Sequence, residues 1–340
     1  MGTLDLHGRP LRNLRLSVTD RCNLRCRYCM PEESYTWLPR EDILSFEEAL
    51  RLTEVFTDLG VRRVRLTGGE PLLRRNLPAL VAMLAELPEL EDLALTSNGV
   101  HLQEQAQSLR EAGLPRLTVS LDTLKADRFE AFNRRPHLHR VLAGLDAAAD
   151  AGFDSIKLNS VIIRGFNDDE IVDLLAYARD RQMEIRFIEY MDVGGATDWE
   201  PGKVVGKEEI RFILQQHYGA VEELGEQGSA PAQRFRLQDG TVFGIVASTT
   251  APFCSQCDRS RLTADGRWYL CLYGEQGLDL REPLRAGLDR QALAEILRRH
   301  WQQRDDRGAE QRLQATDRTA LWNREKLHGK PHLEMHTRGG

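Results

Sequence analysis

The run Leu14-Arg15-Leu16-Ser17-Val18-Thr19-Asp20-Arg21-Cys22-Asn23-Leu24-Arg25-Cys26-Arg27-Tyr28-Cys29 joins a strand pattern to a cluster of cysteines, and the fold and the chemistry both hang on that junction. Leu14 to Val18 alternates apolar and polar residues, the pattern of a half-buried strand. That strand runs directly into a CxxxCxxC loop. Three thiolates hold three irons of a [4Fe-4S] cube and leave the fourth iron open to a ligand that reacts, whereas a cluster that only carries electrons usually takes a fourth Cys. The alternative is zinc, but zinc prefers paired CxxC or Cys/His knuckles with four ligands, and no His lies near this loop in sequence.

The other three cysteines, Cys254, Cys257 and Cys271, form a CxxC followed, after thirteen intervening residues, by a third Cys. The chain therefore carries two incomplete triads. A disulfide framework suits small secreted domains, and Met1 to Pro10 has no apolar signal core. Zinc stays open for this second set, because a CxxC and a distant Cys can recruit His or Asp as fourth ligand. Asp265-Gly266 predicts a two-residue hairpin. In that register Ala264 faces Arg267 and Ser260 faces Cys271, which returns the third Cys to the neighbourhood of Cys257. Arg259 and Arg261 lie on the same strand, with Ser260 between them.

The composition is that of a soluble globular chain: 340 residues, 41% hydrophobic and 29% charged, enough for one large core with an extension or for two domains. No apolar run reaches the length of a membrane span, and thiol-ligated clusters fit a reducing cytoplasm. A net charge of −6 argues against broad nucleic-acid binding. Any anionic ligand must therefore be met by a local cluster of Arg and Lys.

A strand-then-helix unit recurs about six times. Strand candidates are Leu14–Val18, Val61–Leu66, Leu93–Thr96, Leu117–Leu121, Ile156–Ile163 and Ile185–Ile188. Helical patterns begin after Ser45, which forms a capping box with Glu48, and recur near Asn76–Glu86, Gln103–Ala112, His139–Ala151 and Asp168–Arg181. Such alternation implies an α/β fold with a parallel sheet and right-handed crossovers. Six units are too few for a closed eight-stranded barrel, so we expect an open partial (βα)6 TIM-like barrel over residues 1–220. Residues 221–340 are expected to form a β-containing extension, with strands at Arg234–Leu237 and Val242–Ala247 and the Cys271 hairpin, closing the barrel's side.

In parallel α/β architectures ligands sit at the carboxyl ends of the strands. Those ends carry the cysteine loop, Gly68-Gly69-Glu70-Pro71, Thr96-Ser97-Asn98-Gly99, Ser120-Leu121-Asp122 and Met191-Asp192, while Lys157, Asn159 and Arg186 lie on the fifth and sixth strands. Glycines at 68 and 69 would let a ligand approach bare backbone. Taken with Arg65-Leu66-Thr67, Asp122-Thr123-Leu124 and Arg259-Ser260-Arg261, these stretches resemble the GTP 3′,8-cyclases, the radical S-adenosylmethionine (SAM) family that opens molybdenum cofactor biosynthesis. The resemblance runs from about Leu11 to the last residue, and the second triad and terminal Gly339-Gly340 narrow it to this family. Asp258 departs from the pattern, which leads us to expect Asn.

The resemblance implies a lyase that converts GTP to (8S)-3′,8-cyclo-7,8-dihydroguanosine 5′-triphosphate through a 5′-deoxyadenosyl radical. It implies two [4Fe-4S] clusters, on Cys22, Cys26 and Cys29 and on Cys254, Cys257 and Cys271. SAM on the first cluster would meet Tyr28, Gly69, Ser120 and Met191. GTP would be held by Arg15, Arg65, Thr96, Lys157, Arg259, Ser260 and Arg261, its guanine edge on the open iron of the second cluster. Catalytic roles fall on Arg15, Arg186, Gly339 and Gly340. An external electron donor, product transfer to cyclic pyranopterin monophosphate synthase and a homodimer are implied as well. Read from its own residues, the tail Met335–Gly340 is expected to be frayed, and the Gly-rich loop Val193–Lys203 to be either a flap or a dimer contact.

Overall fold

The computed structural model describes residues 2–225, 228–316 and 318–339. Its first half alternates β1 (Asn13–Ser17), α1 (Phe46–Asp58), β2 (Arg63–Thr67), α2 (Leu77–Ala85), β3 (Asp92–Ser97), α3 (Leu102–Glu111), β4 (Arg116–Ser120), α4 (Ala126–Asn133), α5 (Leu138–Asp150), β5 (Ser155–Ile162), α6 (Ile171–Asp180), β6 (Glu184–Glu189) and α7 (Lys207–Tyr218). The six strands pair in sequence order, each parallel to the next, as helical crossovers require.

The C-terminal part supplies β7 (Val221–Leu224), β8 (Gln233–Leu237), β9 (Val242–Val246), β10 (Arg259–Leu262), β11 (Arg267–Tyr269) and β12 (Leu278–Asp279), then α8 (Arg281–Arg285), α9 (Arg290–Gln302), α10 (Gly308–Leu313), α11 (Arg324–Gly329) and α12 (Met335–Arg338). β9 adds parallel to β6 and β10 parallel to β1, each followed outward by antiparallel strands. One twelve-stranded sheet results, in the order β12-β11-β10-β1-β2-β3-β4-β5-β6-β9-β8-β7. It is mainly parallel and unclosed.

Strand alternation separates two faces. Leu14, Leu16, Leu66, Leu95 and Val119 pack with Phe56, Leu80 and Leu145 of the helices in one core, each such side chain stabilising the fold by about 1.5–3 kcal/mol. Arg15, Arg65, Thr96, Thr118 and Lys157 fall on the other face. The capping box of α1 is formed: the Glu48 amide donates to Ser45 Oγ at 3.1 Å, and the Ser45 amide to Glu48 Oε2 at 2.8 Å.

Several local expectations change. Asn76 precedes α2 in the left-handed region at φ 60° rather than joining it. The α4 helix, not expected from the sequence, carries no capping motif. Its end is fixed by tertiary contact, because the carbonyls of Phe132 and Asn133 accept from the amides of Arg27 and Arg25 in the cysteine loop. The hairpin is shifted by one residue: Arg261 faces Tyr269 and Leu262 faces Trp268, so the predicted pairing of Ser260 with Cys271 does not form. Thr263 pairs with Arg267 across a three-residue loop ending in Gly266 at φ 84°, the geometry of a turn that closes with a left-handed glycine. The tail is not frayed but ends in α12, with His336, Thr337 and Arg338 buried. Within the 193–203 loop Val193, Ala196 and Trp199 are buried, the Trp199 indole donating to the Tyr190 carbonyl at 2.9 Å, while Asp198 and Glu200 are exposed.

Candidate active site

The cysteine loop is gripped from three sides. The Gly69 and Glu70 amides donate to the carbonyls of Thr19 and Arg21 at 2.9 and 2.8 Å. A Cβ on Gly69 would lie 2.4 Å from the Arg21 carbonyl oxygen, and one on Gly68 2.3 Å from that of Thr19. The close approach anticipated at this glycine pair is therefore made by the cysteine loop's own backbone. On another side Gly195 abuts Cys29, where a Cβ would stand 2.0 Å from the Cys29 carbonyl oxygen. The third grip is α4.

Tyr28 rests on Phe132, ring centroids 5.4 Å apart, and its hydroxyl donates to Asp122 Oδ2 at 3.1 Å. Burial raises Asp122 to about 6. Glu70, raised by burial to about 7, accepts from the amides of Leu72 and Asn98 and from Ser97 Oγ, tying the loop after β2 to that after β3. Ser120 ends β4 and Met191 follows β6, so the positions expected to meet SAM all lie at the carboxyl end of the sheet.

Burial and the adjacent Cys22 and Cys29 hold the Cys26 thiol well above its usual range. Burial, Cys22 and Glu334 do the same for Cys29, and Cys22 is pushed up to about 11 by burial and Glu70. Three crowded buried thiols become ligands only in the field of a cation. Among the described residues no three His, Cys, Asp or Glu side chains converge on the position of a single metal ion. A cube places each thiolate on a separate iron, so it asks for a wider triangle than one ion does. The first triad fits a [4Fe-4S] cluster.

The second triad lies at the other end of the same strands. Arg259, two residues past Cys257, pairs with Asn13 at the start of β1, whereas Cys22 follows the end of β1. About 13 Å of strand separates the two levels. The polar face therefore runs the length of the strands, beyond their carboxyl ends. Arg259 Nη2 donates to Cys257 Sγ at 3.5 Å, and so does Arg304 Nη2. Burial opposes ionisation of Cys257, but Arg259 and Arg304 outweigh it and bring the thiol down to about 6, while burial pushes Cys254 and Cys271 up. Asp258 is buried and accepts from Asn13 Nδ2 at 2.5 Å and Ser229 Oγ at 2.7 Å.

Between the triads stands a row of cations. Arg261, Arg15 and Arg65 occupy one register across β10, β1 and β2. Burial and then the Arg261, Arg65 and Arg259 charges hold Arg15 well below its ordinary value, and Arg65 and Arg261 are each lowered to about 10, burial leading in both. Lys157 is lowered to about 8 by burial and Arg186, although it pairs with Glu184 Oε1 at 2.6 Å; Arg186 reaches the same oxygen at 3.3 Å. Arg65 Nη1 donates to Thr96 Oγ1 at 3.3 Å and Thr118 Oγ1 at 3.0 Å. Ser260 is set apart from this group. It pairs with Leu14 on the opposite face, and its buried hydroxyl has no hydrogen-bond partner among the described residues.

The tail enters this row. The Gly339 carbonyl accepts from Arg15 Nε at 2.9 Å and from Arg261 Nη1. Gly339 sits at φ 68°, and a Cβ there would lie 2.4 Å from Thr67 Cγ2 and 2.9 Å from Ser17 Oγ. Only glycine fits. Arg338 anchors it, donating to the His332 and Leu272 carbonyls and packing its guanidinium 4.1 Å from the Tyr269 ring centroid. His336 is wedged against Tyr35 and Trp37. Gly340 lies outside the described residues.

The α/β fold and a half-buried CxxxCxxC loop at the carboxyl end of a parallel sheet define a radical SAM protein, which implies a [4Fe-4S] cluster and SAM. Residues 16–178 match the Radical SAM superfamily, and residues 183–328 match Molybdenum Cofactor Synthesis C. GTP 3′,8-cyclase 3 of Mycobacterium bovis is 53% identical over 99% of this chain and 90% of its own length. GTP 3′,8-cyclase 1 of Mycobacterium tuberculosis is 52% identical over 98% and 94%, and the GTP 3′,8-cyclase of Acidothermus cellulolyticus 49% over 92% and 89%. The crystal structure of Streptococcus suis SuiB bound to S-adenosylmethionine shares the fold, with TM-score 0.60 at 16% identity over 86% of this chain and 69% of that one. The chain belongs to the GTP 3′,8-cyclase family.

Proposed function

We infer that this chain is a SAM-dependent radical lyase that converts GTP to (8S)-3′,8-cyclo-7,8-dihydroguanosine 5′-triphosphate, the first step of molybdenum cofactor biosynthesis. The observation that carries this reading is the row of buried cations between the two triads. Arg15, Arg65 and Arg261 share one register, burial and the other two guanidiniums hold Arg15 below its ordinary value, and Glu184 pairs with Lys157, Arg186 and Arg234. A triphosphate brings about three to four negative charges to such a row, where guanidiniums bind its oxygens through paired N–H forks.

When bound, the first cluster and SAM supply a 5′-deoxyadenosyl radical by one-electron cleavage of SAM. The chain's own residues do the rest by position. A guanidinium has five N–H donors, so Arg15 and Arg261 can each hold the Gly339 carbonyl and still grip phosphate. Gly339 fills the gap between Ser17 and Thr67 and keeps water from the ribose, which a carbon radical requires. Fixing the triphosphate midway along the strands sets the ribose toward Tyr28, Gly69, Ser120 and Met191 and the guanine toward the second triad, in contact geometry for hydrogen transfer and ring closure.

In this reading Cys254, Cys257 and Cys271 would hold a second [4Fe-4S] cluster, which would supply an iron to bind the guanine edge. Residues 1–220 form the open (βα)6 barrel, and 221–340 form the extension that closes its side. Among the described residues no helix is long and apolar enough to cross a membrane, and we place the enzyme in the cytoplasm as a homodimer. There it takes electrons from an external donor and passes its product to cyclic pyranopterin monophosphate synthase. Anaerobic turnover tests the reading. GTP should make SAM yield methionine, 5′-deoxyadenosine and a cyclised nucleotide; SAM cleavage that ignores GTP would overturn it.

A further inference from the structure

Beside the second triad, three distant parts of the chain meet in a buried charge network that the GTP reaction does not use. Arg304 follows α9, and its side chain is 2% exposed. From sequence this stretch, with Asp305-Asp306, reads as a solvated helical face; instead the helix ends at Gln302 and Arg304 turns inward. Its Nη1 donates to the Cys257 carbonyl at 2.7 Å and its Nη2 to Cys257 Sγ at 3.5 Å. The guanidinium lies 4.5 Å from the Trp301 ring centroid and pairs with Asp5 Oδ2 at 3.4 Å. Asp5 is shared with Arg9 at 2.6 Å, and Arg9 in turn holds the Cys254 carbonyl at 2.9 Å. Two buried guanidiniums thus share one fully buried carboxylate, with Asp306 no nearer than 3.9 Å to Arg304. The network presents two guanidiniums to two of the three cysteines, with Asp5 and the partly exposed Asp306 as its carboxylates.

A cube core held by three thiolates is a net anion, and taking up one electron makes it more so. Hydrogen bonds to sulfur and nearby positive charge stabilise that reduced form and raise the cluster's potential.

We propose that Arg304 is a positioning residue for the second cluster: it fixes Cys257 through the carbonyl and the sulfur together, and its charge, held in place by Asp5 and Trp301, makes this cluster easier to reduce. This role rests on the reading of the second triad as a cluster site.

The test is a redox titration of the cluster-loaded enzyme followed by electron paramagnetic resonance, with iron analysis. Wild type should hold about eight irons per chain and show two clusters; about four irons and one cluster would refute the cluster reading itself, not the role of Arg304 alone. In Arg304→Gln the second cluster's potential should move negative while the first cluster's stays in place. Arg304→Lys, which keeps the charge but not the fork, should recover part of the shift. An unmoved second potential in iron-replete Arg304→Gln overturns the proposal. Should Arg304→Gln lose half its iron, Arg304→Lys decides: full iron with a potential near wild type supports a role for the charge, and equal iron loss assigns Arg304 to packing alone.

Discussion

Replacing Arg261 with alanine removes the cation that joins the tail, the arginine row and the second triad. Its guanidinium donates to the Gly339 and Arg338 carbonyls and shares a register with Arg15 and Arg65. A hydrogen bond to a charged group contributes about 1.5–3 kcal/mol, so losing one phosphate grip should weaken GTP binding about ten- to a hundredfold. The effect on the unliganded fold should be smaller. The change takes a donor from two tail carbonyls, but it also removes the repulsion of Arg261 with Arg15, Arg259 and Arg338, and the two effects oppose each other. Anaerobic calorimetry on the cluster-loaded protein measures both ligands. GTP affinity should fall by that factor while SAM affinity and iron content hold. An unchanged GTP affinity would refute the phosphate role of the row, and a parallel loss of SAM binding would mean that the substitution had disturbed the whole cavity.

Gly339→Ala would place a methyl 2.4 Å from Thr67 Cγ2 at a left-handed φ, a conformation that costs a side-chain-bearing residue roughly 1–2 kcal/mol; turnover should fall steeply with iron retained, and near-wild-type turnover would show that the tail tolerates displacement. Gly195→Ala, 2.0 Å from the Cys29 carbonyl oxygen, should cost the first cluster, halving iron and abolishing SAM cleavage; full iron content would contradict the packing. Lys157 is lowered to about 8 by burial and Arg186, so its charged, anion-binding form is lost as pH rises through that value; GTP affinity should decline across it in wild type and stay flatter in Lys157→Arg, and identical pH profiles would remove Lys157 from the phosphate site.

The cysteines were legible because iron ligation needs one residue type at short, fixed spacing, and the parallel strands because Leu14, Leu16 and their counterparts alternate with polar neighbours. What escaped the sequence was set by contacts between distant segments. Arg338 orders the tail through Tyr269 and the Leu272 carbonyl, and nothing in Met-His-Thr-Arg-Gly-Gly announces that. The hairpin register moved by one because Thr263, not Ala264, closes the turn. Gly195 sits in a stretch whose glycines suggest mobility, yet Cys29 packs against it. Arg304 reads as a surface residue because its partners Asp5 and Cys257 lie far from it in sequence.

The central claim is that one nucleotide spans the polar face, its phosphates on Arg15, Arg65 and Arg261 and its base on the second triad. Electron–nuclear double resonance of the reduced enzyme with GTP labelled with nitrogen-15 in the guanine ring tests it directly. A hyperfine coupling from the base to the cluster on Cys254, Cys257 and Cys271 is predicted. A spectrum unchanged by the label, in protein that holds both clusters and binds GTP, would contradict it.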